Sequence, residues 1–451
     1  MTTYSIIQKS QLEGALRLDA EYYQPGYLNL ISNLKSQKSK TLGEIGRVAY
    51  GTTPSGGVFE KSGIPFVRSQ NFSNLLIDTS DLAFCSEKFH NQNKKSAIKP
   101  DDILFAAVGA TIGELAIVQD EIKEGNINQN IAAVRITDKN INSYFVGFFF
   151  ASTSGQLQIE RLITGNAQPY LNSEQIKSFL IPIFDIKRQN EIANYFHEIQ
   201  EQTKTSKSLY SQAENLLLEE LGLRDFEVED DLSYIVNLSE IKFSHRADAE
   251  YFQPKYEKLV EKIKKYGADP LLSLAQNVAA RFNPKSQPTK LFQYVELSNI
   301  TSSVGTIDGF SEVSGDEAPS RAKRVLKTND VILSSVEGSL EKVALAGKEQ
   351  EGYLASNGFF QFRSKDILPE VLLVLAKSFI LQMQFGKETA GTILTAVPKE
   401  AVKNIVVPKV DKSTQQKIAD LVQKSHEARS KAKQLLEQAK NKVEQLIESK
   451  K

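Results

Sequence analysis

Strand-length apolar runs separated by turn-forming residues occupy much of this chain. The runs at Ile64 to Val67, Ile103 to Val108, Leu115 to Val118 and Ile131 to Ile136 are divided by Gly, Pro, Asn and Asp, a pattern that predicts short β-strands joined by tight turns. The regions that contain them are therefore expected to be rich in β-structure.

Helices are predicted where the pattern changes. The segment "DAEYYQP" predicts a short turn and then a helix from about Gly26, because Pro25 fits the start of a helix but not its interior. A second helix is expected from Asn142 to Leu162, and its run "YFVGFFF" is apolar on almost every side. Such a helix is expected to be buried in a core.

Two long stretches without Gly or Pro follow "IPIFD" and "VVPKVD" and have apolar positions at alternating four- and three-residue steps. This spacing is typical of helices that pack along a heptad seam. One helix from Lys187 to about Gly222, ended by that glycine, would be roughly 50 Å long. Its expected partner is the stretch from Lys412 to Lys451, running antiparallel. The expected interhelix seam comprises Ile192, Phe196, Ile199, Tyr210, Leu217, Ile418, Val422, Leu436 and Val443.

The chain also aligns with itself at a shift near 229 residues. "RLDAEYYQPGY" from Arg17 returns as "RADAEYFQPKY" from Arg246, and "IKPDDILF" from Ile98 faces "LKTNDVIL" from Leu326. A period of this size is that of a whole domain with its connector. The chain is therefore expected to consist of two homologous halves related by an internal pseudo-twofold axis.

The predicted fold class is α+β, with two homologous β-rich domains separated by two long antiparallel coiled-coil helices. The expected segments are a first domain at residues 1–185, a first spacer helix at 186–225, a second domain at 226–410 and a second spacer helix at 411–451.

Composition restricts the class of protein only in part. Lys plus Arg equals Asp plus Glu, 55 each, so a protein that coats nucleic acid through bulk charge is disfavoured. The longest apolar run, Phe145 to Ala151, is far shorter than the ~20 residues of a membrane helix. The single cysteine, Cys85, cannot form an internal disulfide, and no secretory signal pattern begins the sequence. No membrane contact and a cytoplasmic location are expected, with Cys85 packed inside.

Several segments resemble successive signatures of the specificity subunits of type I restriction-modification enzymes. They are "GTTPSGG…GIPFVRSQN", "KPDDILFAAVGATIG", "NINQNIAAVRI" and "GNAQPYLNSEQIKSFLIPIFDIKRQNEIANYF". Their order, the duplication and the helical connector after each copy strengthen the resemblance. The second copy departs from the pattern, with "AGTILTAVPKE" in place of "GNAQPYLNSE". A half that differs in its loops is expected to read a different DNA sequence.

The resemblance implies a role and partners. Each β-rich half would be a target recognition domain that reads one half of a split site in double-stranded DNA, and the helices would set the gap. Two methyltransferase (modification) subunits would bind this chain, and restriction subunits with nuclease and translocase activity would join them. The chain itself would be non-catalytic and would need no cofactor.

Direct readout of bases requires side chains with paired donors and acceptors, chiefly Arg, Lys, Asn and Gln. Arg68 and Gln70 are the preferred base readers of the first half. The full set of candidates there is Tyr50, Thr52, Thr53, Ser55, Arg68, Ser69, Gln70 and Asn71, with Asn166, Gln168 and Tyr170 in a later loop. The corresponding set in the second half is Arg281, Asn283, Lys285, Ser286, Gln287, Ser298 and Asn299, with Thr392 and Thr395 in the later loop.

Catalytic alternatives have little support in the residues. Pro100 and Asp101 with Glu121 to Lys123 imitate a PD…ExK nuclease site, but Thr328 and Asn329 replace the first two in the second copy. Asp102 and Asp330 recur and are expected to cap a turn rather than bind metal. No GxxxxGK[ST] phosphate loop occurs. The four histidines have no metal-ligand spacing and are expected at the surface: His90, His197, His245 and His426.

Two other functions remain open at this point. The chain could be a specificity subunit of a different restriction-modification system, one with a fused methylase-nuclease. It could instead be a duplicated scaffold that binds proteins only, which a test for selective binding to randomised DNA would distinguish.

Overall fold

The chain folds as two compact units that each contain β-sheets and a part of each of two long helices. The computed structural model describes residues 4–9, 12, 17–57, 59–164, 169–227, 233–390 and 395–449. The first unit comprises residues 1–202 and 430–451, and the second comprises residues 203–429. The domain boundaries expected at residues 185, 225 and 410 stay a prediction, since the compact units divide each long helix between them.

The strands of the first half are short, as the turn-rich sequence predicts. They are β1 (Ser39–Thr41), β2 (Gly46–Tyr50), β3 (Ile64–Val67), β4 (Phe72–Ser73), β5 (Leu76–Ile77), β6 (Ala83–Cys85), β7 (Ala97–Ile98), β8 (Ile103–Ala106), β9 (Leu115–Ile117), β10 (Gly125–Ile127), β11 (Ile131–Ile136) and β12 (Leu180–Pro182). Its helices are α1 (Pro25–Ser36), α2 (Leu42–Ile45), α3 (Glu87–Gln92), α4 (Ser143–Ala151), α5 (Thr153–Leu162), α6 (Ser173–Lys177) and α7 (Ile186–Glu220).

The second half repeats most of this order. Its strands are β13 (Ala268–Pro270), β14 (Ala275–Asn277), β15 (Leu291–Val295), β16 (Ile300–Thr301), β17 (Thr306–Ile307), β18 (Ser311–Ser314), β19 (Ala322–Val325), β20 (Asp330–Ser334), β21 (Val343–Leu345), β22 (Leu354–Ser356), β23 (Phe359–Ser364) and β24 (Val406–Pro408). Its helices are α8 (Leu238–Ser244), α9 (Pro254–Tyr266), α10 (Leu271–Leu274), α11 (Pro369–Lys377), α12 (Phe379–Lys387) and α13 (Lys412–Glu448).

Strand order is the same in the two units. One four-stranded sheet has the order β2-β11-β8-β9 in the first unit and β14-β23-β20-β21 in the second. The other has the order β6-β3-β10-β7 and β18-β15-β22-β19, and in it β3 pairs with β10, and β15 with β22, in parallel. The internal repeat deduced from the sequence is thus a repeat of topology.

Two helices, α4 and α5, occupy the segment from Asn142 to Leu162, so the prediction of a single helix there is wrong. Ser152 between them has an extended backbone, and its hydroxyl donates to the carbonyl oxygen of Phe149 at 2.8 Å. Ser378 makes the same break between α11 and α12, with its hydroxyl 2.8 Å from the carbonyl oxygen of Leu375. A serine that bonds back to a carbonyl of the preceding turn competes with the helical hydrogen bonds.

Each unit buries its share of the long helices in its own core. In the first, Ile192, Phe196 and Ile199 of α7 belong to one buried cluster with Phe145 of α4 and Val443 of α13. In the second, the corresponding cluster contains Tyr210 and Leu217 of α7, Ile418 and Val422 of α13, and the aliphatic face of α11. Of the expected seam residues, Leu436 is only partly buried, and Leu435 beside it is 4% exposed.

The direction of packing is defined within the second unit. Ser206 and Ser425 are hydrogen-bonded through their hydroxyls at 3.2 Å, and Thr414 bonds to Glu220 at 3.4 Å. Ser206 precedes Glu220 along α7, whereas their partners follow the opposite order along α13, Ser425 after Thr414. The two segments are therefore antiparallel there. The expected end of α7 is confirmed, because Gly222 has a positive φ of 59° and Leu223 donates its N–H to the carbonyl oxygen of Leu218.

A repeated turn before the central strand of each unit is held by a buried aspartate. Asp102 accepts the backbone N–H of Lys99 at 2.8 Å, and Asp330 accepts that of Lys327 at the same distance. The residue before each one, Asp101 or Asn329, has a φ of 71°, a conformation that Asp and Asn tolerate better than most residues. The expectation that this recurring pair caps a turn is confirmed.

Each of these aspartates also pairs with an arginine on the neighbouring strand. Arg135 of β11 donates through Nε to Asp102 at 2.7 Å, and Arg363 of β23 donates to Asp330 through two nitrogens at 2.8 Å. The ion pair raises the pKa of both guanidinium groups above the ordinary value.

None of the described helices combines the length and the apolar composition that a membrane crossing requires.

We predict that Asp330→Ala lowers the free energy of unfolding of the second unit by about 3 kcal/mol, because it removes a turn cap and leaves the Arg363 guanidinium without its carboxylate. Asp330 is 0% exposed. Urea unfolding followed by circular dichroism measures the change, with Asp366→Ala at an exposed position as the matched control. Equal midpoints for the two variants would contradict this role.

Candidate nucleic-acid interface

In the first unit, the candidate residues between Tyr50 and Ser55 lie beside the carboxyl end of β10. Thr52 donates its N–H to the carbonyl oxygen of Ile127 at 3.0 Å, and the Thr53 hydroxyl is hydrogen-bonded to Gln129. A Cβ at Gly51 would lie 2.0 Å from the carbonyl oxygen of Asn128, so only glycine permits this close approach. The loop after β2 and the turn after β10 therefore form one surface.

The loop after β3 reaches the same edge, because β3 runs parallel to β10 and Val67 pairs with Ile127. Arg68 and Gln70 donate to one carboxylate oxygen of Asp81 at 3.3 and 3.2 Å. The side chain of Arg68 is 26% exposed and that of Asp81 is 78% exposed. The two preferred base readers are thus adjacent, partly accessible and held by one acidic partner, Asp81, which is not among the predicted site residues.

Asn71 has a different position from the other candidates in this loop. It is 2% exposed, accepts the backbone N–H of Arg68 at 2.9 Å and donates to the carbonyl oxygen of Asp81 at 2.9 Å. Both ends of its amide therefore stabilise the turn that carries Arg68, Ser69 and Gln70. The turn-forming role leaves Asn71 poorly placed for base contact.

Tyr50 and Tyr170 line a pocket of about 490 Å³ together with Val108 and Leu171. The Tyr50 hydroxyl donates to the carbonyl oxygen of Leu171, and burial raises the pKa of Tyr50 to about 12. Tyr170 is 43% exposed and pairs through its backbone with Thr164. Asn166 and Gln168, also expected here, lie outside the described residues.

In the second unit the candidates fall into two groups at opposite ends of β15. The first group lies by the start of the strand, next to Gly315. The backbone N–H of Gly315 donates to the carbonyl oxygen of Lys290 at 2.9 Å, and the glycine is so close to Gln287 that a Cβ on it would be 2.1 Å from the Gln287 carbonyl oxygen. Ser298 and Asn299 follow the end of the strand. The exposed members of the first group are Arg281, Asn283, Lys285, Ser286 and Gln287.

The cause of this separation is the route of the loop after β14. Phe282 donates its N–H to the carbonyl oxygen of Lys323 at 3.0 Å, and its ring packs on Phe292 of β15 with centroids 5.8 Å apart. The loop thus crosses to β19 and β15, whereas its counterpart in the first unit follows β10. Thr395 accepts the N–H of Glu337 at 3.0 Å through its carbonyl oxygen, and Thr392 lies outside the described residues.

Glu296 occupies the position in the second unit that Arg68 has in the first. Its backbone N–H donates to the Asn299 side chain at 2.9 Å, the bond that Arg68 makes to Asn71, and its carboxylate accepts the Ser298 hydroxyl at 3.3 Å. The aligned segments "VRSQN" and "VELSN" contain this exchange. Glu296 is not among the residues predicted to read bases, because direct readout uses chiefly Arg, Lys, Asn and Gln.

Asp101, the aspartate of the segment that imitates a nuclease site, and the neighbouring Asp102 both have structural partners. Asp101 accepts the hydroxyl of Tyr144, and the carboxylate of Asp102 is shared between the turn and Arg135. Among the described residues, no group of three or more His, Cys, Asp or Glu side chains could hold a metal ion.

The expectation that all the histidines lie at the surface is wrong for His90. It is 3% exposed, and its Nδ1 lies 2.6 Å from the side-chain oxygen of Asn126. His426 is partly buried with Nε2 2.8 Å from the carbonyl oxygen of Val304, and burial lowers its pKa. Cys85 is buried, as expected.

Comparison with known proteins shows a family similar to part of this chain. The family described as "Type I restriction modification DNA specificity domain" matches residues 35–215. This match covers less than half of the chain, so residues 35–215 are what is similar to that family.

Individual proteins are also similar to this chain. The specificity subunit of the type I restriction enzyme EcoBI from Escherichia coli is 27% identical over 139 residues, which are 31% of this chain and 29% of that relative. The match thus spans less than a third of the curated relative. Two solved structures are each 13% identical to this chain. The S subunit of a type I restriction-modification system from M. genitalium matches over 91% of this chain and 94% of its own, with a TM-score of 0.39. The HsdS subunit from Thermoanaerobacter tengcongensis matches over 90% of this chain and 95% of its own, with a TM-score of 0.30.

Proposed function

We propose that this chain is the DNA-binding specificity subunit of a type I restriction-modification system, acting in the cytoplasm. It reads a bipartite target with an unread gap and directs two methyltransferase subunits and the restriction subunits to it. One observation carries the proposal: the two units share a strand order but present different side chains at the same strand end, Arg68 and Gln70 in one and Glu296 and Ser298 in the other.

The chemistry of these side chains suits different bases. Arginine donates in a bidentate manner to O6 and N7 of guanine, glutamine pairs with N6 and N7 of adenine, and glutamate accepts from N4 of cytosine. Asp81 orients Arg68 and Gln70 before DNA arrives, so less side-chain entropy is lost on binding. The two half-sites are therefore proposed to differ in sequence.

The gap is assigned to the long helices. At ~1.5 Å per residue, the 35 residues of α7 and the 37 of α13 are each over 50 Å long. Two recognition units that meet the same face of B-DNA should contact it about one helical turn, ~34 Å, apart or at a multiple of that distance. Helices of this length are sufficient for such a separation.

Selection from a pool of randomised duplex DNA tests the proposal, using the chain with and without its methyltransferase partner. A motif of two parts separated by unselected positions is expected. No enrichment under both conditions would favour the protein-binding scaffold, and the genes adjacent to this one would distinguish a type I system from a fused methylase-nuclease.

We predict that Arg68→Ala relaxes the selected sequence at one position of one half-site and weakens binding to the full target by ~1–3 kcal/mol, because it removes a bidentate donor. The other half-site should be unchanged. Arg47→Ala, at an exposed arginine of β2, is the matched control. Uniform weakening on all sequences would instead assign Arg68 to the phosphates.

We predict that deletion of one heptad from the middle of both α7 and α13 shortens the preferred gap by about three base pairs and keeps both half-site sequences. Seven residues correspond to ~10 Å of helix, and each base pair to ~3.4 Å of DNA. Deletion from α7 alone is the control, and it should reduce folding because it shifts the seam register against α13. Altered half-sites with an unchanged gap would refute this mechanism.

A further inference from the structure

The hairpin of β16 and β17 follows directly after the turn that carries Glu296 and Ser298. The turn ends at Asn299, and Ile300 of β16 pairs with Ile307 of β17. The two proposed base readers are exposed, so the turn is held in place by its flanks, β15 on one side and the hairpin on the other. The contacts of the hairpin therefore help to set where these side chains lie.

Asp308, the residue after β17, connects the hairpin to the turn. Its backbone N–H donates to the carbonyl oxygen of Asn299 at 2.9 Å, and its carboxylate accepts the Thr301 hydroxyl at 2.7 Å. The side-chain oxygen of Asn299 in turn accepts the backbone N–H of Glu296 at 2.9 Å. The backbone of Glu296 is thus linked to Asp308 through one intervening residue.

The long helix α13 holds the same aspartate from the other side. Arg429 donates through Nε and a terminal nitrogen to one carboxylate oxygen of Asp308, at 2.9 and 2.7 Å. The side chain of Arg429 is 5% exposed and that of Asp308 is 16% exposed. Separation of such a pair leaves charges with little access to water, so the pair resists displacement.

Two further side chains fasten the tip of the hairpin to helices. Nε2 of His426 in α13 lies 2.8 Å from the carbonyl oxygen of Val304, and Lys377 of α11 donates to the carbonyl oxygen of Ser302. Val304 itself is 1% exposed. The hairpin is therefore attached to α13 at two points, of which Asp308 is the one next to the reading turn.

The charged attachment uses a helix position that differs between the two halves. The internal repeat aligns Arg429 with Thr203, whose side chain has no charge and cannot form an ion pair. The bond from hairpin to turn is common to both units, since Asp78 donates its N–H to the carbonyl oxygen of Asn71 at 2.7 Å. The ion pair at this helix position is therefore a feature of the second half.

Direct contact between Arg429 and DNA does not fit its surroundings. An arginine that binds guanine or a phosphate presents its guanidinium at the surface, whereas this one is buried and directed at Asp308. Any influence of Arg429 on base selection has to pass through the aspartate and the turn.

We infer that Arg429 is a positioning residue for base readout by the second unit. Through Asp308 and Asn299 it sets the place of the Glu296 backbone, and with it the direction of the side chains that the turn presents. A recognition site has to be held within about 0.5 Å of its productive geometry, and hydrogen bonds to base edges form only over a narrow range of distance and angle. Helix α13 thereby contributes to the reading of one half-site as well as to the gap. This inference rests on the proposed function, because it assigns a helix residue to the selectivity of a half-site.

The first test uses the full chain with its methyltransferase partner. After selection from randomised duplex DNA, affinity is measured for the selected target and for targets with one base changed in either half-site. Arg429→Gln should lower the ratio of these affinities by ~10-fold in the second half-site and leave the ratio in the first half-site unchanged. Arg429→Lys, which restores the charge with fewer donors, should recover part of the lost ratio.

A second measurement, hydrogen exchange followed by mass spectrometry, reports on the turn without DNA. Arg429→Gln should raise the exchange rate of the peptide that contains the Asp308 N–H by ~10-fold, because local opening becomes easier. The peptide that contains the Asp78 N–H of the first unit should keep its rate. Asp308→Asn removes the ion pair from the other side, so it should change both exchange and selectivity in the same direction and serves if Arg429→Gln does not fold.

Asp330→Ala is the matched control, because it removes a buried ion pair from the second unit at the start of β20, away from the reading turn. It should lower stability and retain the affinity ratios of both half-sites. An equal loss of selectivity in Asp330→Ala, equal weakening of Arg429→Gln on all sequences, or unchanged ratios in both Arg429→Gln and Asp308→Asn overturns the inference alone. Failure of the unchanged chain to select any motif overturns the proposed function and the inference with it.

Discussion

The antiparallel packing of α7 against α13 is the interaction on which the structure of each unit depends. Ile192 and Val443 share the core of the first unit, and Leu217 and Ile418 share that of the second. These partners are more than 200 residues apart in sequence, so neither core is complete until both long helices have formed. The helices are thus structural parts of both units, and contacts this distant in sequence slow folding because loop closure must come first.

Polar residues in the middle of the seam define which residues of the two helices face each other. Ser206 and Ser425 bond to each other, and Arg429, 5% exposed, donates to Asp308 at 2.7 and 2.9 Å. Small and aliphatic residues alone would pack almost equally well after a shift of one heptad. A shift of α13 would separate Ser425 from Ser206, so the serine pair specifies the register between the two helices. Asp308 follows β17, and its buried ion pair with Arg429 adds little net stability but specifies the position of α13 on the second unit.

The accuracy of the sequence-based predictions depended on how local each feature is. The strands Ile64–Val67 and Ile131–Ile136 and the glycine that ends α7 follow from nearby residues, and their positions agree with the structure. The break at Ser152 depends on a side-chain bond that competes with an otherwise regular helical pattern. The burial of Asn71 and the route of the loop after β14 depend on Asp81 and Lys323, which no local pattern connects with them. Base-reading candidates were therefore selected by residue type and only partly by position.

Comparison of the two halves of one chain supplies information that a single sequence normally lacks. Both halves have the same strand order and the same ion pair, Arg17 with Asp19 or Arg246 with Asp248, so these features meet requirements common to both units. The loops at the strand ends have exchanged Arg68 for Glu296, a reversal of charge at one position of a shared turn. A structural requirement cannot explain that reversal, since the turn is closed by the same backbone bond to Asn71 or Asn299 in both units. The reversal is consistent with the proposal that the two strand ends contact different bases.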